Sequence, residues 1–164
     1  MMLCTMPDQT LASERLSYWG ATGEQGTGRQ KLASATKSES PGAYRDTSGT
    51  WLLTFNELNC GYCSGAPTSY ATSTAIDGAF TSPPNGNPAW GATPLGRRGL
   101  SATSCGGQAR TVTVLDGQAW QVIDLWSPGG NQAAAPVHLE PLIYRGAAPF
   151  GKPHQPFAPF ACGS

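Results

Sequence analysis

The sequence predicts an all-β fold of short antiparallel strands, and three observations carry that reading. Gly (21) and Pro (14) together exceed a fifth of the chain, above ordinary usage, which favours many turns over long helices. The runs "TWLLTF", "ARTVTV" and "AWQVIDLW" are rich in the aromatic and branched residues that suit a pleated surface, and the last two alternate apolar with polar positions. Turn clusters such as "DTSG" and "LDGQ" stand between such runs at hairpin spacing.

Taken in order, residues 1–38 show no sustained periodicity, and "GATGEQGTGRQKLASATKS" reads as irregular, with one edge strand at "RLSYW". The pattern changes after that point, so residues 39–164 form the structured part. "AYR", the turn "DTSG" and "TWLLTF" make a hairpin, and "TSYATS" adds a third strand closed by the turn "IDG". Residues 81–98, "TSPPNGNPAWGATPLGRR", are too proline-rich for a sheet interior. A second series is expected after them: "GLSATS", then the hairpin "ARTVTV"–"LDGQ"–"AWQVIDLW", then "VHLEPLIYR". Two successive groups of short antiparallel strands, separated by a long loop, are what consecutive propeller blades look like in sequence, and a β-sandwich fits nearly as well.

With 164 residues the chain can bury one modest core, and a formal charge of zero with 12% charged residues gives no attraction toward nucleic acid or an anionic membrane. Neither is expected as a partner. No apolar run approaches the ~20 residues that span a bilayer, and "MMLCTMPDQT" lacks the basic start and apolar centre of a secretory signal. The cysteines point the other way. Cys60, Cys63, Cys105 and Cys162 lie among turn residues and aromatics, as disulfide partners in exported β proteins do, and Cys4 is the odd one out. Four cysteines allow three pairings, and the sequence does not choose among them.

"CGYC" also admits a redox or a zinc reading, because thiols at this spacing exchange disulfides or hold half of a tetrahedral metal site. A zinc site asks for a second such pair or a spaced pair of histidines, and His138 and His154 are far apart in sequence, so no metal site is expected. A redox motif belongs at a strand-to-helix junction, and nothing here reads as a helix. The chain has no GxxxxGK loop, no GxSxG elbow and no HExxH pair. "GTGRQK" follows no buried strand, and Arg97 with Arg98 is too short for a basic patch.

"SESPGAYRDTSGTWLLTFNE" resembles a pattern of family 43 glycoside hydrolases: Glu, a small residue, Pro, then a hairpin whose second strand is aromatic and aliphatic. "TSYATSTAIDGAF" is similar to that family's strand ending in Ser before a Gly turn. "SATSCGGQARTVTVLDGQAWQVIDLW" resembles its last blade, where a Gln-bearing loop leads into a hairpin closing with Asp, any residue, Trp, and "LEPLIY" matches the strand that follows. The set covers most of Glu39 to Tyr144.

The resemblance implies a partial β-propeller of about two to three blades, the C-terminal portion of a five-bladed one, after an irregular N-terminal segment. It implies an extracellular inverting glycosidase acting on pentose- or galactose-containing polysaccharides. Glu39 matches the general acid, a carboxyl whose partial burial keeps it protonated and able to donate. Gln108 is the candidate sugar-binding residue on the cleft floor. No cofactor is implied, and calcium in the axial channel stays an open option.

The chain departs from the family pattern in one respect that matters for chemistry. The general base and the Asp that tunes the acid belong ahead of the glutamic acid, and Asp8 is the one aspartate that precedes Glu39. Asp46, Asp77 and Asp116 read as turn residues and Asp124 as a structural strand residue, with Trp126 on its face. Loss of a general acid or base costs ~10² to 10⁴ in rate, so little hydrolysis is expected from this chain alone. The alternative is a noncatalytic sugar-binding or scaffold module. Either way, an open arc of blades leaves strand edges bare and favours self-association.

Overall fold

A computed structural model describes residues 2–5, 11–14, 30–31, 38–57, 64–76, 78, 80, 99–145 and 157–163, the first three segments by their strands alone. The described structure is three antiparallel sheets. The first holds β1 (Met2–Thr5), β2 (Leu11–Glu14) and β3 (Gln30–Lys31), in that order. The segment read as irregular with one edge strand thus carries three short strands, and "RLSYW" (residues 15–19) lies outside the described residues.

The second sheet is a four-stranded meander of β4 (Ser38–Arg45), β5 (Trp51–Glu57), β6 (Thr68–Ser73) and β7 (Gly99–Ser101). Its first turn is held by Asp46, whose Oδ1 accepts from the backbone N–H of Ser48 and of Thr50 at 2.9 Å each, with Gly49 at φ 88. That is the Asx-type chemistry that makes Asp a turn former. β4 starts five residues before the predicted "AYR" and tolerates Pro41 because it is an edge strand and is bulged between Glu39 and Gly42.

The third sheet is β8 (Gln108–Leu115), β9 (Gln118–Asp124) and β10 (Val137–Pro141). Its hairpin closes through Asp116 (φ 50) and Gly117 (φ 77), the two positive-φ positions that an Asp-Gly turn supplies. One strand changes sheet relative to the sequence reading. Gly99–Ser101 was expected to open the second series, but it pairs with β6 and completes the sheet before it.

The arrangement of sheets is that of propeller blades. The first strand of each neighbours the first strand of the next, β1 beside β4 and β4 beside β8, so these strands are the innermost of an arc. β4 and β8 approach closely at Gly42, where a Cβ would meet the backbone of Val112 at 2.9 Å and of Thr111 at 3.0 Å. No side chain fits there. Alternation along β5 sends Leu53 and Phe55 into one core with Ala71 and Phe80, and Leu52 into another between the second and third sheets. This second core joins Leu52, Tyr70 and Leu100 to Ala119, Leu142 and Phe157.

The C-terminal tail closes over that core. Phe157 stacks edge-on against Tyr70 at 5.6 Å, Ala158 N–H donates to the Ile143 carbonyl at 2.9 Å, and Phe160 N–H donates to Leu100 at 3.0 Å. Beyond it the Cys105–Cys162 disulfide ties the tail to the loop ahead of β8. Of the four candidate cysteines these two pair, and Cys60 and Cys63 lie outside the described residues. Among the described residues no helix is long and apolar enough to cross a membrane.

Candidate active site

Glu39 and Gln108 occupy the starts of the two adjacent innermost strands, β4 and β8, and the fold brings their side chains into contact. Gln108 Nε2 donates to Glu39 Oε1 at 2.6 Å and lies 3.5 Å from Ser40 Oγ. Its Oε1 accepts from the indole Nε1 of Trp126 at 2.7 Å. Both ends of the carboxamide are therefore fixed, and the order Trp126, Gln108, Glu39 runs from just past the end of β9 to the bulge of β4. Gln108 is buried, whereas Glu39 and Trp126 are half-buried.

The bulge sets the direction of the carboxylate. Ser40 holds φ 52, in the left-handed region that non-glycine residues seldom adopt, and the ladder resumes only at Gly42 opposite Thr54. A regular strand would alternate strictly; the extra residue re-aims Glu39 relative to the rest of β4.

The ground beneath the pair is a joint between blades. Asn56, opposite Glu39 in the β4–β5 ladder, is fully buried, and its Nδ2 donates to the Ala109 carbonyl on β8. The Gly107 carbonyl accepts from the backbone N–H of Gly65 and of Ala66 at 3.1 Å each. Ser104 donates to the Ala66 carbonyl and sits 2.5 Å from Thr68 Oγ1. Residues 104–109 are thus pinned to the neighbouring sheet on both sides of Gln108. Gly107 has no room for a side chain, since a Cβ there would lie 2.4 Å from the Asp124 carbonyl.

The described aspartates are committed elsewhere. Asp46 holds its turn, Asp116 sits in the β8–β9 turn, and Asp124 pairs with Arg110 at 3.2 Å. Asp8 and Asp77 lie outside the described residues. Trp51 packs beside the first core. The sequence named Glu39 and Gln108 as candidates, and the fold sets their side chains in contact; Asn56 and the indole of Trp126, whose contacts run between sheets, were not among those candidates. Sequence reasoning also missed a cluster away from this site, where Cys105, His138 and Glu140 offer ligand atoms all within 4.8 Å of one another.

No family model and no curated protein matches the sequence. Solved structures do match the fold. An exo-β-1,3-galactanase from Phanerochaete chrysosporium, in complex with β-1,3-galactotriose, superposes with a TM-score of 0.59 at 12% identity over 86% of this chain and 29% of its own. A family 43 β-1,3-galactosidase bound to galactodeoxynojirimycin gives 0.55 at 17% identity, covering 88% of this chain and 41% of that one. An exo-1,5-α-L-arabinanase from a bovine ruminal metagenomic library gives 0.55 at 13% identity, covering 87% and 52%. The chain has the fold of a portion of the family 43 glycoside hydrolase propeller, and it spans about a third to a half of the length of these structures.

Proposed function

We propose that this chain is the C-terminal part of an inverting glycoside hydrolase-like propeller, with Glu39 as general acid and Gln108 beside it on the cleft floor. The observation that supports the reading is the 2.6 Å contact between these residues at the head of two adjacent innermost strands. In this role the Glu39 carboxyl gives its proton to the glycosidic oxygen as the bond to the anomeric carbon breaks. Gln108, held by Trp126, keeps that carboxyl in place and offers its amide to a sugar hydroxyl. Galactose-containing polysaccharides are the first substrate class, since the galactanase and the galactosidase above carry galactose-type ligands. Pentose polymers are the second, after the arabinanase.

Inversion also needs a base carboxylate roughly 6.5 to 9.5 Å from the acid, with a water between them. Each described aspartate is committed to a turn or to Arg110, so the proposal assigns the base and the tuning Asp to none of them. The 164 residues alone are then a sugar-binding part with little or no turnover. A noncatalytic binding module is the second reading, favoured by the way Gln108 occupies Oε1 of Glu39. The reaction class uses no cofactor, and axial calcium is kept as a proposal that chelation followed by a melting curve tests. Placement outside the cell is supported by the Cys105–Cys162 disulfide, which persists in oxidising compartments.

The test is hydrolysis of aryl galactosides, arabinosides and xylosides by the chain. Background rates are expected. Turnover that Glu39→Gln abolishes would overturn the view that the catalytic set is incomplete in these residues.

A further inference from the structure

The tail disulfide sits against two further donors, and together they make a set that fits a cation. His138 and Glu140 are two apart on β10 and so share a face of the strand. His138 Nε2 lies 2.7 Å from Glu140 Oε1, and the same oxygen lies 3.6 Å from Cys105 Sγ. A disulfide sulfur has no proton to give, so the sulfur–oxygen approach is a contact and not a hydrogen bond. Glu140 is buried, and its other oxygen, Oε2, accepts from Ala161 N–H at 3.2 Å, which orients the carboxylate toward the sulfur.

We propose that Cys105, Cys162, His138 and Glu140 form a tetrahedral site for a divalent cation of the zinc type when the Cys105–Cys162 bond is reduced. The donor set, two thiolates, an imidazole and a carboxylate, is one that zinc accepts. The spacing suits it. With Zn–S of about 2.3 Å and Zn–O of about 2.1 Å, the tetrahedral S–O edge is about 3.6 Å, the separation found between Cys105 and Glu140. The N–O edge is about 3.4 Å, so His138 withdraws by less than an ångström, which its partly exposed ring allows. The two sulfurs separate to about 3.8 Å, and Cys162, which is not one of the three donors within 4.8 Å of one another, must also turn toward His138 and Glu140, a rotation open to it because it is exposed.

The site does not depend on the disulfide to bring its parts together. Ala158, Phe160 and Ala161 each donate a backbone hydrogen bond to the body of the fold, and Phe157 is part of its core. After reduction the tail therefore keeps Cys162 beside Cys105. The redox step balances with a phosphine and one water: the S–S bond breaks, two thiols form with the protons of the water, and the phosphine, losing two electrons, becomes its oxide. Zinc then displaces the two thiol protons to solvent. Disulfide and metal exclude each other, so the redox state of the surroundings decides which one the chain holds.

The test uses the full chain, oxidised or reduced with a phosphine, titrated with Co²⁺ under argon while far-ultraviolet circular dichroism follows the strand signal. The expected result is one tetrahedral Co²⁺ per reduced chain, seen as visible d–d bands with thiolate charge transfer, displaced by Zn²⁺ and absent from the oxidised chain. Cys105→Ser abolishes the bands, and His138→Ala or Glu140→Gln weakens Zn²⁺ binding about ten-fold or more. The proposal is overturned if the reduced chain gives no such bands, or if Cys105→Ser gives them unchanged, which would place the metal on Cys4, Cys60 or Cys63. It is equally overturned if reduction unfolds the chain and Zn²⁺ fails to restore the strand signal.

Discussion

Gln108 on β8 donates to the carboxylate of Glu39 on β4 at 2.6 Å, across the seam between two sheets and 69 residues of sequence. Replacing Gln108 with Ala removes that bond and the one it accepts from the Trp126 indole, for an expected loss of about 1–3 kcal/mol in urea unfolding. Gln108→Glu sets two carboxylates against each other. Like charges raise the pKa of one of them in the folded state, so stability falls as pH rises through that value. The variant should be closer to the parent at pH 4.5 than at pH 7.5.

The seam itself has no slack. Gly42→Ala drives a methyl group to 2.9 Å from the Val112 backbone nitrogen, and overpacking of this kind costs about 1–3 kcal/mol. Asn56→Leu leaves the Ala109 carbonyl without its buried donor, at a similar cost. Both substitutions should lower the urea midpoint.

Reducing the Cys105–Cys162 bond, in the presence of a chelator to keep metal away, opens a loop of 57 residues. In the chain-entropy account the loss is about 4 kcal/mol. Oxidised and reduced samples unfolded in parallel give the difference, and equal midpoints would mean that the tail contacts alone hold the sheets.

Among the described residues β10 is a sheet edge, with Val137 and Leu139 exposed at 50% and 38% on one face. Bare edges of this kind pair with other chains. Light scattering should show concentration-dependent association, relieved by replacing both residues with Lys. A monodisperse monomer would count against an open arc of blades.

Much of this fold is legible in the sequence, and the parts that are not share one cause. Leu52 and Leu53, pointing to opposite faces of β5, and the Asp116–Gly117 turn follow from local alternation and turn chemistry. Gly99–Ser101 does not, because three residues beyond a long linker carry no mark of which sheet they will join. Glu39 and Gln108 were singled out as candidates by the motifs around them. Asn56 and Trp126 were not: each acts through one hydrogen bond to another strand, and neither residue type signals that in a linear reading. The same holds for His138, Glu140 and the two cysteines, which converge only once the tail has folded back.

The most direct test of the saccharide site is a ¹H–¹⁵N spectrum of the chain titrated with β-1,3-galactotriose. The indole N–H of Trp126 and the side-chain amide of Gln108 should shift together and saturably, with weaker binding in Glu39→Gln. If millimolar sugar moves neither signal in a folded sample, these residues do not line a saccharide pocket.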